Sequence, residues 1–458
     1  MQQQNNHNKP FLIIGFTCIV LLLISVVIPK QFWKKYQLNA VNIFADLETQ
    51  KVEKRVSTYV PPKKSTPQKD LVKDTIVANK EVAKLIRNDV GIERPDEATA
   101  QDGIATFLLA LKNQAKHNNR KVRIGYFGDS MIEGDLITQT IRTILQNKFG
   151  GNGVGFIPVT SVVAHFRQTV KAIANQNWDD VNYTNNKQKL IIGLSGHTFF
   201  AKQDATLNIK PGGGKHLSSL YDFSILYGNG KIGFNFNNKP VKVNGTGHFN
   251  IAKLNADSNV NQVTLKFDSC ATPIYGFAAE SKTGVILDNL SFRGTSGTEM
   301  IRLNSKMLRQ IDSLRPYDLV VLHYGPNLLY NDSITNFKYY QSQLERTLKH
   351  IRKVFPHTSI LIISTADKSF KIDGEYKTGN GVENLLKAQQ AAAQKYKCAF
   401  FNLYEAMGGY NSMKTWAEKK PILAGSDYTH FNQSGSAKIG RLIGNAILNQ
   451  YEQTYPTN

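Results

Sequence analysis

Two short segments, far apart in the sequence, contain the side chains needed for nucleophilic ester chemistry. A Gly-Asp-Ser tripeptide ends at Ser130, directly after the apolar run 122–127 and before a helical pattern. Such a strand-to-helix junction presents a serine at the carboxyl edge of a sheet, where N–H groups at the helix start stabilise an oxyanion. Near the C-terminus, Asp427 precedes His430 by three residues. This spacing lets the carboxylate bind the imidazole Nδ1–H, which leaves Nε2 free to take the serine proton.

Two further segments between these residues offer donors for an oxyanion. Gly294 lies in the run Phe-Arg-Gly-Thr-Ser-Gly, and its backbone N–H is a candidate donor. Asn327 belongs to a Gly-Pro-Asn tripeptide that follows the apolar run 318–324, and its amide is a second candidate. Preorganised donors of this kind stabilise the charge that develops during acyl transfer. A lone Gly-Asp-Ser recurs by chance, so the prediction depends on the whole set.

The residues around these segments alternate between strand and helix patterns. Apolar runs predict strands at 122–127, 318–324, 359–364 and 398–403. Helical patterns follow at 136–148, 337–354, 382–397 and 434–451. Strands that alternate with helices predict an α/β fold with a parallel sheet covered on both faces.

Residues 162–288 interrupt this alternation. They are rich in Asn, Gly, Thr and Lys and contain short alternating apolar runs. Gly-Asn-Gly at 228–230 predicts a hairpin between the runs 222–227 and 231–236. We therefore predict an inserted all-β sandwich. Four of its aromatic side chains either stack on sugar rings or fill the core, and the sequence leaves both options open: Trp178, Tyr183, Tyr221 and Tyr227.

The N-terminal part predicts a membrane anchor and a spacer. Residues 11–28 are almost wholly apolar, long enough to span a bilayer as a helix, and lack a small-residue cleavage site. We therefore predict a tail and uncleaved anchor at 1–38, a Pro- and Lys-containing linker at 39–97, and a body at 98–161 and 289–458. The lysines that flank the span place the body in the cytoplasm by a literal positive-inside count.

Composition narrows the class of partner and cofactor. The chain has 458 residues and a formal net charge of +21, which favours an anionic polymer. Its lysines are scattered without a dense basic block or a nucleic-acid module, so we expect no nucleic-acid partner. The three cysteines and ten histidines show no metal-ligand spacing. We expect neither a metal nor a cofactor.

The blocks G-D-S, Gly, G-x-N and D-x-x-H, in this order, resemble the SGNH (GDSL) hydrolase family. The resemblance implies a three-layer α/β/α fold. It implies that Ser130 is the nucleophile and that Asp427 orients His430 as the general base. It also implies an oxyanion hole formed by the N–H groups of Ser130 and Gly294 and by the Asn327 amide.

A narrower resemblance concerns the substrate. Residues 128–135, the glycine-rich run 149–156 and the β insertion look like periplasmic peptidoglycan O-acetylesterases. Met131 and the Leu-Leu pair 328–329 depart from the common pattern of these enzymes and leave the substrate open. The resemblance implies a serine esterase that deacetylates an envelope polysaccharide, is anchored in the inner membrane and faces the periplasm, against the lysine count.

Two other functions remain open from the sequence. An O-acetyltransferase on the same class of glycan uses the same catalytic groups, and a glycan-binding envelope protein would use the insertion without turnover. A lipase is less favoured because no long apolar lid adjoins the predicted site.

Overall fold

The computed structural model describes residues 86–95, 103–255 and 260–456. The predicted anchor at 11–28 lies outside these residues, as does the predicted linker before residue 86. Among the described residues, no helix combines the length and the apolar character needed to cross a bilayer.

Strands and helices alternate at both ends of the described chain, with a long run of strands between them. The strands are β1 (Ile92–Glu93), β2 (Lys121–Gly128), β3 (Gly155–Ile157), β4 (Val170–Ala174), β5 (Trp178–Asn182), β6 (His197–Ala201), β7 (Ala205–Pro211), β8 (Ser224–Tyr227), β9 (Gly230–Phe236), β10 (Lys239–Gly245), β11 (Asn250–Lys253), β12 (Val263–Phe267), β13 (Ile274–Ala279), β14 (Gly284–Ser291), β15 (Leu319–His323), β16 (Ser359–Ile363), β17 (Ser369–Ile372), β18 (Glu375–Thr378) and β19 (Ala399–Phe401). The α-helices are α1 (Ala105–His117), α2 (Thr138–Phe149), α3 (Ser305–Leu314), α4 (Lys338–Val354), α5 (Val382–Lys395), α6 (Leu403–Met407), α7 (Ser412–Glu418) and α8 (Gln433–Thr454). Short 3-10 segments occur at Ser130–Asp135, Thr298–Arg302 and Pro326–Leu328.

The central sheet has the strand order β1-β19-β16-β15-β2-β14. Its neighbouring strands pair in parallel from β19 to β14, and only the short β1 runs antiparallel, beside β19. The predicted α/β fold with a parallel sheet is confirmed. Strand β2 lies between β15 and β14, so the predicted nucleophile that follows β2 lies between the strands that lead to the Asn327 and Gly294 blocks.

Both faces of this sheet are buried under helices. In β15, Val321 packs into a cluster with α1, α2 and α8, whereas Val320 packs on the opposite side with α3, α4 and α5. In β16, Leu361 and Ile362 alternate between the same two clusters. Strands buried on both faces are continuous apolar runs, which explains why the sequence revealed them. The body is therefore a three-layer α/β/α arrangement.

Two antiparallel sheets form between β2 and β14. One has the order β10-β9-β12-β7-β4, and the other has the order β11-β8-β13-β6-β5 with β3 paired to β13. Side chains from both sheets share one apolar cluster, for example Leu265 of β12 and Phe277 of β13. This packing makes a β sandwich of strands β3 to β13, which we call the sandwich module.

The hairpin predicted at 228–230 is wrong. Strands β8 and β9 lie in different sheets, so the Gly-Asn-Gly segment carries the chain from one sheet to the other. The hairpin instead joins β9 to β10, and its turn residues Asn237 and Asn238 have φ values of 48° and 64°. Asparagine tolerates this left-handed conformation, which a two-residue type I′ turn requires.

Strand pairing also places the module's ends differently from the predicted limits of 162 and 288. Strand β3, which precedes residue 162, pairs with β13 inside the sandwich module. Strand β14, which begins before residue 288, pairs in parallel with β2 in the central sheet. The glycine-rich run 149–156 gives no strand pattern that would mark the start of the sandwich module. The apolar run of β14 is compatible with a strand of either the module or the central sheet.

Candidate active site

Ser130, His430 and Asp427 form one hydrogen-bonded chain at the carboxyl edge of the central sheet. Ser130 begins the 3-10 segment that follows β2, and its Oγ lies 2.9 Å from His430 Nε2. His430 Nδ1 lies 2.6 Å from Asp427 Oδ2. The side chains of His430 and Asp427 are 47% and 53% exposed, so the site is open to water. The structure thus brings together all three predicted triad residues.

The turn that carries His430 is closed by Asp427 itself. Asp427 Oδ1 accepts hydrogen bonds from the N–H groups of Thr429, at 3.1 Å, and His430, at 3.0 Å. Partial burial acts to raise the pKa of Asp427, but the bonds from the imidazole and these N–H groups outweigh burial and lower the pKa below its usual value. An ionised Asp427 keeps the imidazole proton on Nδ1 and leaves Nε2 to accept the serine proton.

Asn327 connects three of the four predicted blocks. Its Nδ2 group donates to Asp129 Oδ2 and to the Thr295 carbonyl oxygen, each at 2.9 Å. Asp129 Oδ1 also accepts from the Met131 N–H at 2.9 Å, and burial raises the pKa of Asp129 to about 7. Because protein acceptors engage both amide hydrogens, Asn327 donates to an oxyanion only by sharing or releasing one of them. Its predicted oxyanion role stays a prediction.

Gly294 lies beside the nucleophile block with open space above it. The Phe292 N–H donates to the Gly128 carbonyl at 2.9 Å, which ties the segment before Gly294 to the end of β2. Gly294 has a φ of 78°, and a Cβ added there would meet no atom within 4 Å. The glycine therefore serves the backbone conformation and leaves room for a substrate, and donation by its N–H stays a prediction.

A hairpin that the sequence analysis did not predict supports the catalytic turn. It consists of β17 and β18, and the Ser369 N–H donates to the Tyr428 carbonyl at 3.2 Å. The ring of Tyr376 stacks on that of Tyr428 with centroids 3.6 Å apart. Lys368, just before the hairpin, is partly buried and donates from Nζ to the Pro326 carbonyl at 3.1 Å. The sequence of this hairpin is rich in lysine and is typical of a solvated loop. The sequence pattern therefore does not indicate these contacts.

Several other side chains near the site and in the sandwich module have structural contacts. His323 is buried with its Nδ1 3.0 Å from Tyr126 Oη, and burial lowers the pKa of His323 to about 3. His323 is therefore neutral at physiological pH, and its described hydrogen bond is to Tyr126, outside the triad. Trp178 and Tyr227 lie in the core of the sandwich module and are not available to stack on a sugar, whereas Tyr183 packs edge-on against Phe292.

No family model and no curated protein matches this sequence. Among solved structures, one described as a peptidoglycan O-acetylesterase aligns with a TM-score of 0.66 over 78% of this chain and 99% of the other, at 19% identity. The chain has the SGNH hydrolase fold. The resemblance predicted from the four sequence blocks is confirmed, and at this identity the likeness establishes the SGNH fold alone.

Two other solved structures are more distant. An acetyl xylan esterase aligns with a TM-score of 0.28 over 36% of this chain and 80% of the other, at 18% identity. A family two carbohydrate esterase from Cellvibrio japonicus aligns with a TM-score of 0.24 over 62% and 98% of the two chains, at 10% identity. These scores are too low to add to the assignment of the SGNH fold.

Proposed function

We propose that this chain is a serine esterase that removes O-acetyl groups from an envelope polysaccharide, with peptidoglycan as the first candidate. The observation that carries the proposal is the hydrogen-bonded chain Ser130–His430–Asp427 at the edge of an SGNH sheet. The structure with a TM-score of 0.66 is described as a peptidoglycan O-acetylesterase, which supports the choice of substrate. The net charge of +21 supports attraction to an anionic polymer.

The proposed reaction has two steps on the same serine. Ser130 Oγ attacks the acetyl carbonyl and gives its proton to His430 Nε2, while the N–H groups of Ser130 and Gly294 and the Asn327 amide stabilise the oxyanion. The ester C–O bond then breaks as His430 protonates the departing sugar oxygen, which leaves acetyl-Ser130. A water deprotonated by His430 attacks this acetyl group, and acetate leaves as Ser130 regains its proton.

Exposure of the triad favours hydrolysis over acetyl transfer. His430 and Asp427 are each about half exposed, so water reaches the base directly. A transferase must exclude water from its acyl-enzyme. The non-catalytic glycan-binding alternative predicts that a serine-reactive phosphonate will fail to label Ser130, whereas an esterase predicts labelling.

The cellular location is part of the proposal. We propose that the run 11–28 anchors the chain in the inner membrane and that the body lies in the periplasm, because this run is long enough to span a bilayer and the proposed polymer lies outside that membrane. Protease added to spheroplasts should digest the body. Protection of the body until the membrane is lysed would contradict this location.

Acetate release from polymers tests the proposed activity. The full-length chain, purified in detergent, is incubated with O-acetylated peptidoglycan and separately with acetylated xylan, alongside Ser130→Ala. We expect wild type, but not the variant, to release acetate from peptidoglycan. Faster acetate release from xylan than from peptidoglycan would make a xylan-like glycan the assigned substrate. Cleavage of a small activated acetate ester but of neither polymer would refute the proposal that the substrate is a polysaccharide. Failure to cleave even that ester would refute the proposed esterase activity.

Replacement of Asn327 by alanine is expected to lower kcat by about 10²-fold to 10³-fold, the usual effect of losing one oxyanion donor. The measurement is kcat on a small acetyl ester, with phosphonate labelling of Ser130 as a check that the triad persists. Asn331→Ala is the matched control, because Asn331 lies in the same loop, is exposed, and has a side chain whose described hydrogen bonds are only to Ser333. A kcat for Asn327→Ala close to that of the control would exclude a role for this amide.

A further inference from the structure

A cavity of about 350 Å³ lies between the sandwich module and the nucleophile end of the central sheet. One wall is formed by residues 133–135, in the segment that begins at Ser130, and by residues 291–293, directly before Gly294. Residues 158–164, after β3, line the cavity as well. The cavity therefore begins beside the groups proposed to hold the ester, where the next unit of a polymer would lie.

Two polar side chains of the sandwich module belong to residues that line this cavity. Ser195 lines it and is only 5% exposed, yet among the described residues no partner lies within hydrogen-bonding distance of its Oγ. His197 also lines the cavity, and its Nδ1 lies 2.9 Å and 3.0 Å from the two carboxylate oxygens of Asp180. This pairing orients the ring and leaves Nε2 on the side away from Asp180. A buried hydroxyl without a partner is unfavourable, so a ligand that bonds to it gains binding energy.

The charges of the wall indicate a neutral ligand. Each acidic side chain that lines the cavity contacts a basic side chain that also lines it. The pairs are Glu133 with Arg293, Asp135 with Arg167, and Asp180 with His197. No lysine is among the lining residues that the structure describes. A small anion or cation would have to break one of these pairs, whereas hydroxyl and amide groups can bond to them in place.

The rest of the lining is apolar. Phe156, Val159 and Phe292 line the cavity, and the ring of Phe292 lies 4.7 Å from that of His197, centroid to centroid. A pyranose ring combines apolar C–H faces with a rim of hydroxyl groups, which matches this mixture. The volume lies at the lower end of the range of about 300–1,000 Å³ that is usual for ligand sites.

We infer that this cavity is a subsite for one neutral sugar ring of the glycan, next to the ring whose ester is cleaved. The inference rests on the proposed function, because it takes the polymer to be the substrate. Ser195 Oγ and His197 Nε2 bond to the hydroxyl or amide groups of this ring, and Phe292 packs against its C–H face. The sandwich module thereby gives the polymer an advantage over a small ester.

Binding of a soluble oligosaccharide tests the subsite without any turnover. The full-length chain is titrated by calorimetry with the tetramer of β-linked N-acetylglucosamine and, separately, with xylotetraose. Ala164→Trp fills the cavity from its wall, and Ala271→Trp places the same bulk on an exposed part of the same module. We expect Ala164→Trp to raise Kd for the N-acetylglucosamine tetramer at least tenfold and Ala271→Trp to leave it unchanged. Ser195→Ala should raise Kd about threefold to tenfold, the effect of one hydrogen bond.

A kinetic ratio extends the test to the proposed substrate. Ala164→Trp should lower the ratio of kcat/KM on O-acetylated peptidoglycan to kcat/KM on a small acetyl ester at least tenfold. The subsite is refuted if wild type binds neither oligosaccharide at millimolar concentrations, or if Ala164→Trp binds as well as wild type. Tighter binding of xylotetraose would change the type of sugar. Cavity-dependent binding without acetate release from either polymer would leave the subsite standing and refute the proposed function.

Discussion

Replacement of Ser130 by alanine is expected to lower kcat for ester hydrolysis by about 10⁴-fold to 10⁶-fold, the range found when a triad nucleophile is removed. Ser130 Oγ is the atom proposed to form the acetyl intermediate, and it lies 2.9 Å from His430 Nε2. Without it, only binding and the oxyanion donors contribute to the rate. The measurement is kcat on a small activated acetate ester, with thermal unfolding recorded to show that the variant folds.

A double variant distinguishes a cooperative triad from independent contributions. His430→Ala alone should reduce kcat by a similar factor, and the double variant should be no slower than either single variant, because triad residues act as a unit. Multiplicative losses in the double variant would contradict the mechanism. A kcat for Ser130→Ala within tenfold of wild type would show that another group is the nucleophile.

Replacement of Asp135 by alanine is expected to lower the free energy of unfolding by about 3–5 kcal/mol, because it leaves a buried charge without its partner. Asp135 and Arg142 have side chains 0% and 1% exposed, and the guanidinium donates two bonds to the carboxylate, at 2.7 Å and 2.8 Å. Asp135 also accepts from Thr169 Oγ1 at 2.6 Å, so it connects the nucleophile segment to the chain that enters β4. The measurement is denaturant unfolding at neutral pH.

The same carboxylate predicts the pH dependence of stability. Burial acts to raise the pKa of Asp135, but Arg142 and Arg167 outweigh it and lower the pKa to about 2. Because the pKa of Asp135 is lower in the folded state than in the unfolded state, its ionised carboxylate stabilises the fold. This stabilisation is fully present above the unfolded pKa of about 3.9 and is lost as the pH falls toward about 2. The difference in unfolding free energy between wild type and Asp135→Ala should therefore shrink below about pH 4.

A surface pair is the matched control for Asp135. Asp179 contacts Lys202 at 2.6 Å, but the two side chains are 56% and 54% exposed. Asp179→Ala should therefore change the unfolding free energy by less than about 1 kcal/mol. A loss for Asp135→Ala no larger than that of the control would show that the buried network does not stabilise the fold.

The sequence was sufficient for features that depend on local patterns. The strands of the central sheet are buried on both faces, so they are continuous apolar runs, and the position of Ser130 after β2 followed from one of them. The spacing of Asp427 and His430 allowed the observed contact because the turn between them is short. The N-terminal span at 11–28 lies outside the described residues and stays a prediction.

Features that depend on how distant elements pack could not be predicted. Gly-Asn-Gly at 228–230 satisfies the local rules for a hairpin, yet only the two-sheet packing decides that β8 and β9 separate. The partners of Asn327 come from two other blocks, and no local pattern encodes that convergence. Ser195 looks like an ordinary loop serine until the sandwich module places it in a cavity wall.

The long separation between Ser130 and His430 has a consequence for biosynthesis. The two side chains are 300 positions apart, and the entire sandwich module is made between them. The proposed base lies just before α8, so the hydrogen-bonded chain Ser130–His430–Asp427 cannot form until the sandwich module and the strands that follow it have been synthesised and folded. A chain that ends before His430 would lack the proposed base, and we expect it to be inert toward esters. The proposed ester cleavage would begin only after these elements have folded, and it would serve as a reporter of their folding.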